Sequence, residues 1–256
     1  MPLPKVNTPT YELVLPSTGK KLKYRPFLVR EEKILIMALE SEDVKQITEA
    51  VMEILESCIL TKGFKLDSLA TFDLEYLFLN VRSKSVGETV EINVTCPDDN
   101  KTNVSMSIDL DAIKVVKDKK HKNTVKLDDS LSLKLKYPSV VQFVENNFEA
   151  SEKSEVTNTL DMIVSCIDTI YTEEESWDAS ESTKKELEDF VDQLNTKQFK
   201  SIEDFFATMP KLTHSVKVKY PITGVESNVR LEGLAAFFNY VWLTRILSHT
   251  IKLTLP

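Results

Sequence analysis

Apolar side chains change their spacing twice between Leu28 and Phe206, and that change limits the possible folds more than any other feature. Between Leu28 and Arg82 they recur every third or fourth position, between Val90 and Tyr137 they alternate, and after Pro138 the helical spacing returns. A period near 3.6 indicates amphipathic helices, and a period of two indicates half-buried antiparallel strands. The sequence therefore predicts an α+β fold, with small antiparallel hairpins and several amphipathic helices.

The N-terminal quarter predicts a hairpin followed by helices. Tyr11–Leu15 and Lys20–Tyr24 flank a Pro-Ser-Thr-Gly cluster, which favours a tight turn. From Leu28 onward the apolar residues lie on one helical face, and a second amphipathic helix follows and ends near Thr61. Cys58 falls on the apolar face of that second helix, where we expect a buried and unreactive thiol.

A third helix is predicted over Phe72–Arg82. Asp73 is placed to cap its N-terminus, and Gly87 is placed to close its far end. Arg82 and Lys84 would then lie in the last turn, where positive charge interacts favourably with the helix dipole.

Alternation predicts two hairpins in the middle of the chain. Residues 90–94 and 104–108 flank a Pro-Asp-Asp-Asn tip, and residues 125–127 and 131–137 flank an Asp-Asp-Ser turn. Paired aspartates in such turns suit local backbone hydrogen bonding better than catalysis or calcium binding.

After Pro138 the pattern predicts helices again. A long apolar stripe from Val156 to Ile170 predicts one helix, and shorter stripes at 187–194 and 199–206 predict two more. The acidic run Thr172–Ser180 predicts a solvated loop between them.

A last hairpin over 216–220 and 228–231 precedes a C-terminal helix that is apolar around most of its circumference. Such a helix is buried, either between two layers of its own fold or against a partner or another copy. Truncating Trp242 to alanine would unfold the chain in the first case and weaken association in the second. The predicted partner-binding residues are Phe237, Phe238, Tyr240, Trp242 and Leu243.

The length of the chain allows one large core or two modest ones. With 256 residues, the change of pattern at Pro138 divides the chain into an N-terminal α+β part, 1–137, and a C-terminal part, 138–256. The alternative is a single compact unit.

Composition narrows the classes of partner. Lys and Arg total 32 and Asp and Glu total 40, a net charge of −8 that disfavours nucleic-acid binding through a basic face. Three cysteines are too few and odd in number for a disulfide framework, which fits a reducing cytosol. Segment 231–247 is too short and too polar to span a bilayer, and residues 1–9 lack the apolar stretch of a signal peptide.

Motifs for catalysis are missing from the sequence. His121, His214 and His249 lie in or beside loops or element ends, outside any metalloprotease motif, and five glycines leave little room for a phosphate-binding loop. The hairpins that contain Cys96 and Tyr220 resemble each other weakly, but a zinc ribbon requires cysteine pairs and Tyr220 stands where one would be needed. The sequence predicts no catalytic residue, no metal ligand and no cofactor.

Short anchors spread along the chain carry a family resemblance. They are Leu15–Gly19, Tyr24–Phe27, Glu31–Lys33, Phe72–Tyr76, Arg82–Glu88, Phe199–Pro210 and Leu231–Phe238. Together they resemble the baseplate hub and tail-assembly protein family of T-even-like contractile-tailed phages, from about Leu13 to Phe238.

This resemblance implies a non-enzymatic protein needed to build the baseplate hub, either as a hub component or as an assembly factor. The implied partners are other tail and hub proteins, with another copy of the chain as a further one. The implied locations are the host cytoplasm during assembly and the tail baseplate of the virion. The alternative hypothesis is a metal-dependent or hydrolytic enzyme whose site is assembled from residues distant in sequence.

Overall fold

The computed structural model of the chain describes residues 6–41, 43–99, 101–139, 142, 155–221 and 223–232. Contacts group the chain into two compact units. Unit 1 contains the described residues of 1–66, 72–116 and 211–256, and unit 2 contains those of 67–71 and 117–210. The organisation into parts 1–137 and 138–256 stays a prediction.

The described residues mix helices with short strands, so the predicted α+β class is confirmed. The helices are α1 Val29–Glu40, α2 Val44–Cys58, α3 Thr71–Val86, α4 Glu155–Ser165, α5 Lys184–Asp192 and α6 Thr196–Thr208. The strands are β1 Tyr11–Val14, β2 Lys21–Tyr24, β3 Thr89–Thr95, β4 Asn103–Asp109, β5 Lys114–Val116, β6 Thr124–Lys126, β7 Ser132–Leu135, β8 Ile167–Tyr171, β9 Ser176–Asp178, β10 Lys211–Lys219 and β11 Glu226–Glu232.

All strand pairs are antiparallel and form four small sheets within the described residues. Unit 1 contains the pairs β1–β2 and β3–β4 and a three-stranded sheet in the order β11–β10–β5. Unit 2 contains one four-stranded sheet in the order β6–β7–β8–β9.

The predicted hairpins form where turn residues interrupt the alternation. In the first, Leu13 and Leu22 face each other on the buried side of the pair. Gly19 closes its turn with a φ of 69°, a conformation in which a side chain would be strained. The two middle hairpins and the last hairpin are confirmed as β3–β4, β6–β7 and β10–β11.

One predicted helix is wrong over its last third. The stripe from Val156 to Ile170 predicted one helix, but α4 ends at Ser165, where the Cys166 N–H is shared between the carbonyls of Met162 and Ile163. The chain then continues as β8, which pairs with β7. The buried apolar residues of this segment are compatible with the helical period and with the strand period, so their spacing alone could not distinguish a helix from a strand.

Each unit has its own buried apolar residues. In unit 1 the fully buried side chains include Leu15, Leu35, Leu55, Leu77 and Ile92. In unit 2 one cluster joins the inner face of the four-stranded sheet to α4, α5 and α6, through Val125, Leu127, Leu133, Leu135, Ile163, Val164, Ile167, Leu187, Val191, Ile202 and Phe205. No helix among the described residues is long and apolar enough to cross a membrane.

Candidate interaction surface

The partner-binding residues predicted from the sequence, Phe237, Phe238, Tyr240, Trp242 and Leu243, lie outside the described residues. The segment predicted to form a nearly all-apolar C-terminal helix lies outside them too, from residue 233 onward, as does His249. The candidate partner-binding surfaces that the structure shows therefore lie elsewhere in the chain, among the described residues.

His121 is buried in unit 2 among hydroxyl groups and an aromatic ring. The buried His121 ring lies 3.0 Å from the Thr208 hydroxyl through Nδ1 and 3.0 Å from the Tyr137 hydroxyl through Nε2. Phe205 packs beside the ring, with 5.0 Å between ring centres. Burial lowers the pKa of His121, because the charged imidazolium is poorly solvated there. His214 lies within β10, not at an element end as predicted.

Glu31 is a buried carboxylate at the centre of an ionic cluster in unit 1. It is 3% exposed, and its Oε1 accepts hydrogen bonds from Arg25 at 2.9 Å and from Arg30 at 2.6 Å. Its Oε2 accepts from the backbone N–H of Leu28 at 2.6 Å, which satisfies a free amide at the start of α1. Burial raises the pKa of Glu31, but these donors outweigh it and lower the pKa to about 2. The cluster fixes the start of a helix and leaves no free carboxylate oxygen for chemistry.

Asp73 does not cap α3 as predicted. Its buried carboxylate lies in the first turn and accepts hydrogen bonds from the backbone N–H of Ser17 at 3.0 Å and from the Ser17 hydroxyl. These bonds attach the β1–β2 turn to α3. Burial raises the pKa of Asp73, and the Ser17 donors only partly oppose that effect.

The far end of α3 follows the prediction more closely. Gly87 adopts a φ of 128°, and its N–H donates to the Ser83 carbonyl. Lys84 lies in the last turn and binds both Glu88 and Asp111, at 2.5 and 2.9 Å. Arg82 is buried, where its guanidinium donates to the Gly87 carbonyl at 3.1 Å.

The two hairpins that resemble each other in sequence meet at their tips within unit 1. The Tyr220 hydroxyl donates to Asp99 Oδ2 at 3.1 Å, and the Ser227 hydroxyl donates to Asp98 Oδ1 at 3.0 Å. Equivalent bonds close both turns: the Cys96 N–H donates to the Thr102 carbonyl, and the Tyr220 N–H to the Val225 carbonyl. The aspartates serve turn and tip geometry, which agrees with the role expected for them.

An exposed aromatic side chain marks the edge of the sheet in unit 2. Trp177 lies in the middle of β9 and is 45% exposed. In the described part of the chain, it is the one aromatic residue that is exposed and not buried or half-buried. The flanking strand residues Ser176 and Asp178 are exposed as well. Large exposed aromatic residues are typical of protein-binding sites.

Local hydrogen bonds explain why an acidic segment folds into this edge. The Thr172 hydroxyl accepts from the backbone N–H groups of Glu174 and Glu175, at 3.3 and 3.1 Å. The Thr172 N–H donates to the Glu175 carbonyl at 2.8 Å, which closes the β8–β9 hairpin. The solvated loop predicted over Thr172–Ser180 is therefore a hairpin turn and an edge strand, although its side chains are mostly exposed.

Trp177 continues an apolar row across the sheet. The register places it opposite Ile170, which lies opposite Leu133, which in turn lies opposite Val125. Opposed residues in a pleated sheet point to the same face, so all four lie on the side that carries the core. Val125 and Leu133 are buried, Ile170 is half-buried and Trp177 is exposed. The apolar row thus extends beyond the part of the core that is covered within the described residues.

A second apolar surface lies on the outer side of α1 in unit 1. Val29 is 67% exposed and Met37 is 70% exposed, and they share that side with Lys33 and Glu40. Val29, Lys33 and Met37 are spaced four residues apart, so they form one stripe along the helix.

The exposed tryptophan was missed from the sequence because five acidic residues surround it. The acidic composition of 172–180 predicted a loop there, and the aromatic cluster predicted to bind a partner was the C-terminal one. The signal that could have identified β9 is the Ser-Trp-Asp triplet beyond a two-residue turn, opposite the Thr-Ile-Tyr run of 169–171.

Comparison with known proteins settles the family. The family model described as T4 bacteriophage base plate protein matches residues 8–239. The chain belongs to this family. No curated protein sequence and no solved structure matches the chain.

Family membership confirms the resemblance seen in the sequence anchors at the level of a T4-like phage baseplate protein. It supports a structural role in the baseplate and a place in the tail of the virion. A baseplate is a multiprotein assembly, so a member of this base plate family interacts with other tail proteins. The exposed Trp177 edge and the α1 stripe are therefore candidates for such contacts.

Proposed function

We propose that the chain is a non-enzymatic protein of the baseplate hub pathway, which acts by binding other tail proteins while the contractile tail is assembled. The match of the T4 base plate family over residues 8–239 carries this proposal. The hub assignment rests further on the anchors shared with the hub assembly family.

The hydrogen bonds and ion pairs that the buried polar groups already form support a non-enzymatic role. His121 is held by two hydroxyl groups, Glu31 by two guanidinium groups and a backbone amide, and Asp73 by Ser17. Burial raises the pKa of Cys58 and of Cys166, which disfavours the thiolate that a nucleophile requires. These groups stabilise the fold in the places where they lie.

Affinity capture from infected cells tests the function. A tagged full-length chain should recover hub and tail proteins, and a tagged host protein of similar size and charge should not. Recovery of host enzymes or metabolite-processing proteins in place of tail proteins would contradict the proposal.

Mass spectrometry of purified virions separates the two forms of this function. Peptides of the chain in intact particles, in a fixed ratio to other baseplate proteins, indicate a hub component. Their absence from particles, together with capture of hub proteins from infected cells, indicates an assembly factor that leaves before completion.

The C-terminal aromatic segment is part of the same proposal. Phe237, Phe238, Tyr240, Trp242 and Leu243 are proposed to contact a tail protein or another copy of the chain. Trp242→Ala should then weaken binding by about 2 kcal/mol or more and leave the melting temperature unchanged. A loss of stability of about 3 to 5 kcal/mol would instead place Trp242 in the core of the chain.

A further inference from the structure

Within the described residues, the edge strand β9 presents unpaired backbone groups to its open side. Hydrogen-bonded and non-hydrogen-bonded residue pairs alternate along an antiparallel ladder. Thr172 and Glu175 form a hydrogen-bonded pair, so Ile170 and Trp177 form the next hydrogen-bonded pair. Ser176, between these two pairs, directs its N–H and C=O away from β8. No strand of the described residues pairs with β9 on that side.

The side chain of Trp177 lies where an added strand would need an anchor. It extends the row of Val125, Leu133 and Ile170 on the core face, and it is 45% exposed. A strand placed beside β9 would position one of its own side chains opposite the indole, on that same face. Burying an aromatic ring in this way stabilises interfaces strongly.

Charge selects the kind of strand that fits. Residues 172–181 carry Glu173, Glu174, Glu175, Asp178 and Glu181, and contain neither lysine nor arginine. Hydrogen bonds from Ser180 lower the pKa of Asp178, and the charges of Lys134 and Lys136 lower it further, so that carboxylate stays ionised at the edge. A strand that carries Lys or Arg would complement this field and associate faster.

The same charges disfavour pairing between two copies of this edge. An isologous contact would bring the five acidic residues of one copy against the five of the other. Charged residues on an edge strand are a common protection against such self-association. Protection alone, however, does not require a tryptophan at the centre of the strand.

We propose that the open edge of β9 binds an extended, lysine- or arginine-bearing segment of another tail protein as an added strand, with Trp177 as its apolar anchor. This inference rests on the proposed function for its class of partner. Main-chain hydrogen bonds provide affinity in this mode, and side-chain pockets and charge provide specificity.

A proline at the strand centre tests the backbone part of the proposal. Ser176→Pro removes the outward N–H but none of the bonds to β8, and proline is tolerated on an edge strand in that position. Ser176→Ala is the matched control, since it keeps the N–H. The probe is a short fluorescent peptide of alternating lysine and valine, titrated against the full-length chain and followed by anisotropy.

The wild-type chain and Ser176→Ala should bind this peptide with affinities within about twofold of each other, because both keep the edge N–H. Ser176→Pro should bind about tenfold more weakly, since the hydrogen bond is lost and the ring obstructs the neighbouring strand. A peptide of alternating glutamate and valine should not bind. Equal binding by Ser176→Pro, or binding of the glutamate peptide, overturns the proposal.

A second variant keeps the test decisive if Ser176→Pro lowers the melting temperature. Reversal of Glu173, Glu174 and Glu175 to lysine alters only exposed side chains in the turn. It should abolish binding of the lysine peptide and allow binding of the glutamate peptide. Unchanged preference for the lysine peptide contradicts the proposal.

Affinity capture separates this inference from the proposed function. If the wild-type chain recovers tail proteins and Ser176→Pro recovers one of them in much smaller amount, both stand. If both chains recover the same tail proteins equally, the function stands and the β9 inference fails. If the wild-type chain recovers no tail protein, the function fails whatever the peptide result.

A dimer in sedimentation that Ser176→Pro abolishes would make a second copy the occupant and overturn the inference.

Discussion

Unit 1 and unit 2 both bury charged side chains, but unit 2 also buries a histidine. In unit 1, Glu31 is held between guanidinium groups and Arg82 donates to a carbonyl. Unit 2 buries Asp161, which pairs with Lys184 at 2.8 Å, and His121, whose ring stacks on Tyr137 and lies beside Phe205 and whose pKa is lowered by burial. A buried charge needs a fixed counter-charge, whereas a buried neutral ring is stable only while it stays unprotonated. The two units should therefore respond to different ranges of pH.

Core truncations should have the largest effects and should show which residues fold together. Leu77, Leu133 and Leu212 are each fully buried. Replacing any one of them with alanine should cost about 2 to 5 kcal/mol of unfolding free energy. In native-state hydrogen exchange, Leu212→Ala and Leu77→Ala should both loosen the amides of α3 and β3, and Leu133→Ala should loosen those of α4 and β8.

The hydrogen-exchange result for Leu212→Ala also tests the predicted division into parts 1–137 and 138–256. If Leu212→Ala loosened α4, α5 and α6 and spared α3, residues after 138 would fold as one part. That result would support the division at residue 137 and contradict the grouping of β10 with β5.

Acid should destabilise unit 1 through Glu31. Its folded pKa of about 2 lies below its ordinary value of 4.5, so its contribution is complete above pH 4.5 and is lost as the pH falls toward 2. The loss should reach about 3 kcal/mol, the size expected when one partner of a buried ion pair is neutralised. Denaturant titrations from pH 5 to pH 2 measure it, and Glu31→Gln should remove most of this slope.

Asp73 provides the matched control for that acid response. Its folded pKa is raised by burial, so its protonation relieves a cost and favours the folded state as the pH falls. Asp73→Asn should therefore steepen the acid destabilisation, whereas Glu31→Gln flattens it. The same change of slope in both variants would contradict the assignment of opposite shifts.

Unit 2 should lose stability at milder acidity, by a smaller amount. Burial lowers the pKa of His121, Lys117 lowers it further, and Asp118 partly opposes them. The unfolded chain binds the proton more tightly, so stability is complete above about pH 6.5 and falls as the pH drops below it. Thermal unfolding between pH 7.5 and 5 should show this decline, and His121→Phe should remove it. A decline that persists in His121→Phe would place the titrating group elsewhere.

The tip contact between the two hairpins of unit 1 should have the smallest effect. Tyr220→Phe removes one hydrogen bond to Asp99 and keeps the ring. We expect a loss of about 1 kcal/mol or less in unfolding free energy, because both groups are only half-buried and water can reach them. Asp98→Asn, which keeps an acceptor oxygen for Ser227, should change stability even less.

The sequence by itself determined the local elements. Spacing and turn residues placed α1, α2, α3, α5, α6 and the confirmed hairpins, because each depends on contacts a few residues apart and on turn-forming Gly, Pro and Asp. The family, too, could be recognised from the sequence, because its anchors are short local motifs that the match over residues 8–239 confirms.

Only the tertiary structure decided how distant segments are used. Ser17 binds Asp73 across 56 positions, Tyr220 reaches Asp99 across 121, and β5 pairs with β10. Residues Ile167–Tyr171 form strand β8, and not the end of the predicted helix, because β7 was available to pair with them. Pairings of this kind depend on which surfaces the folded chain brings together, and the periodicity of a single segment carries no information about them.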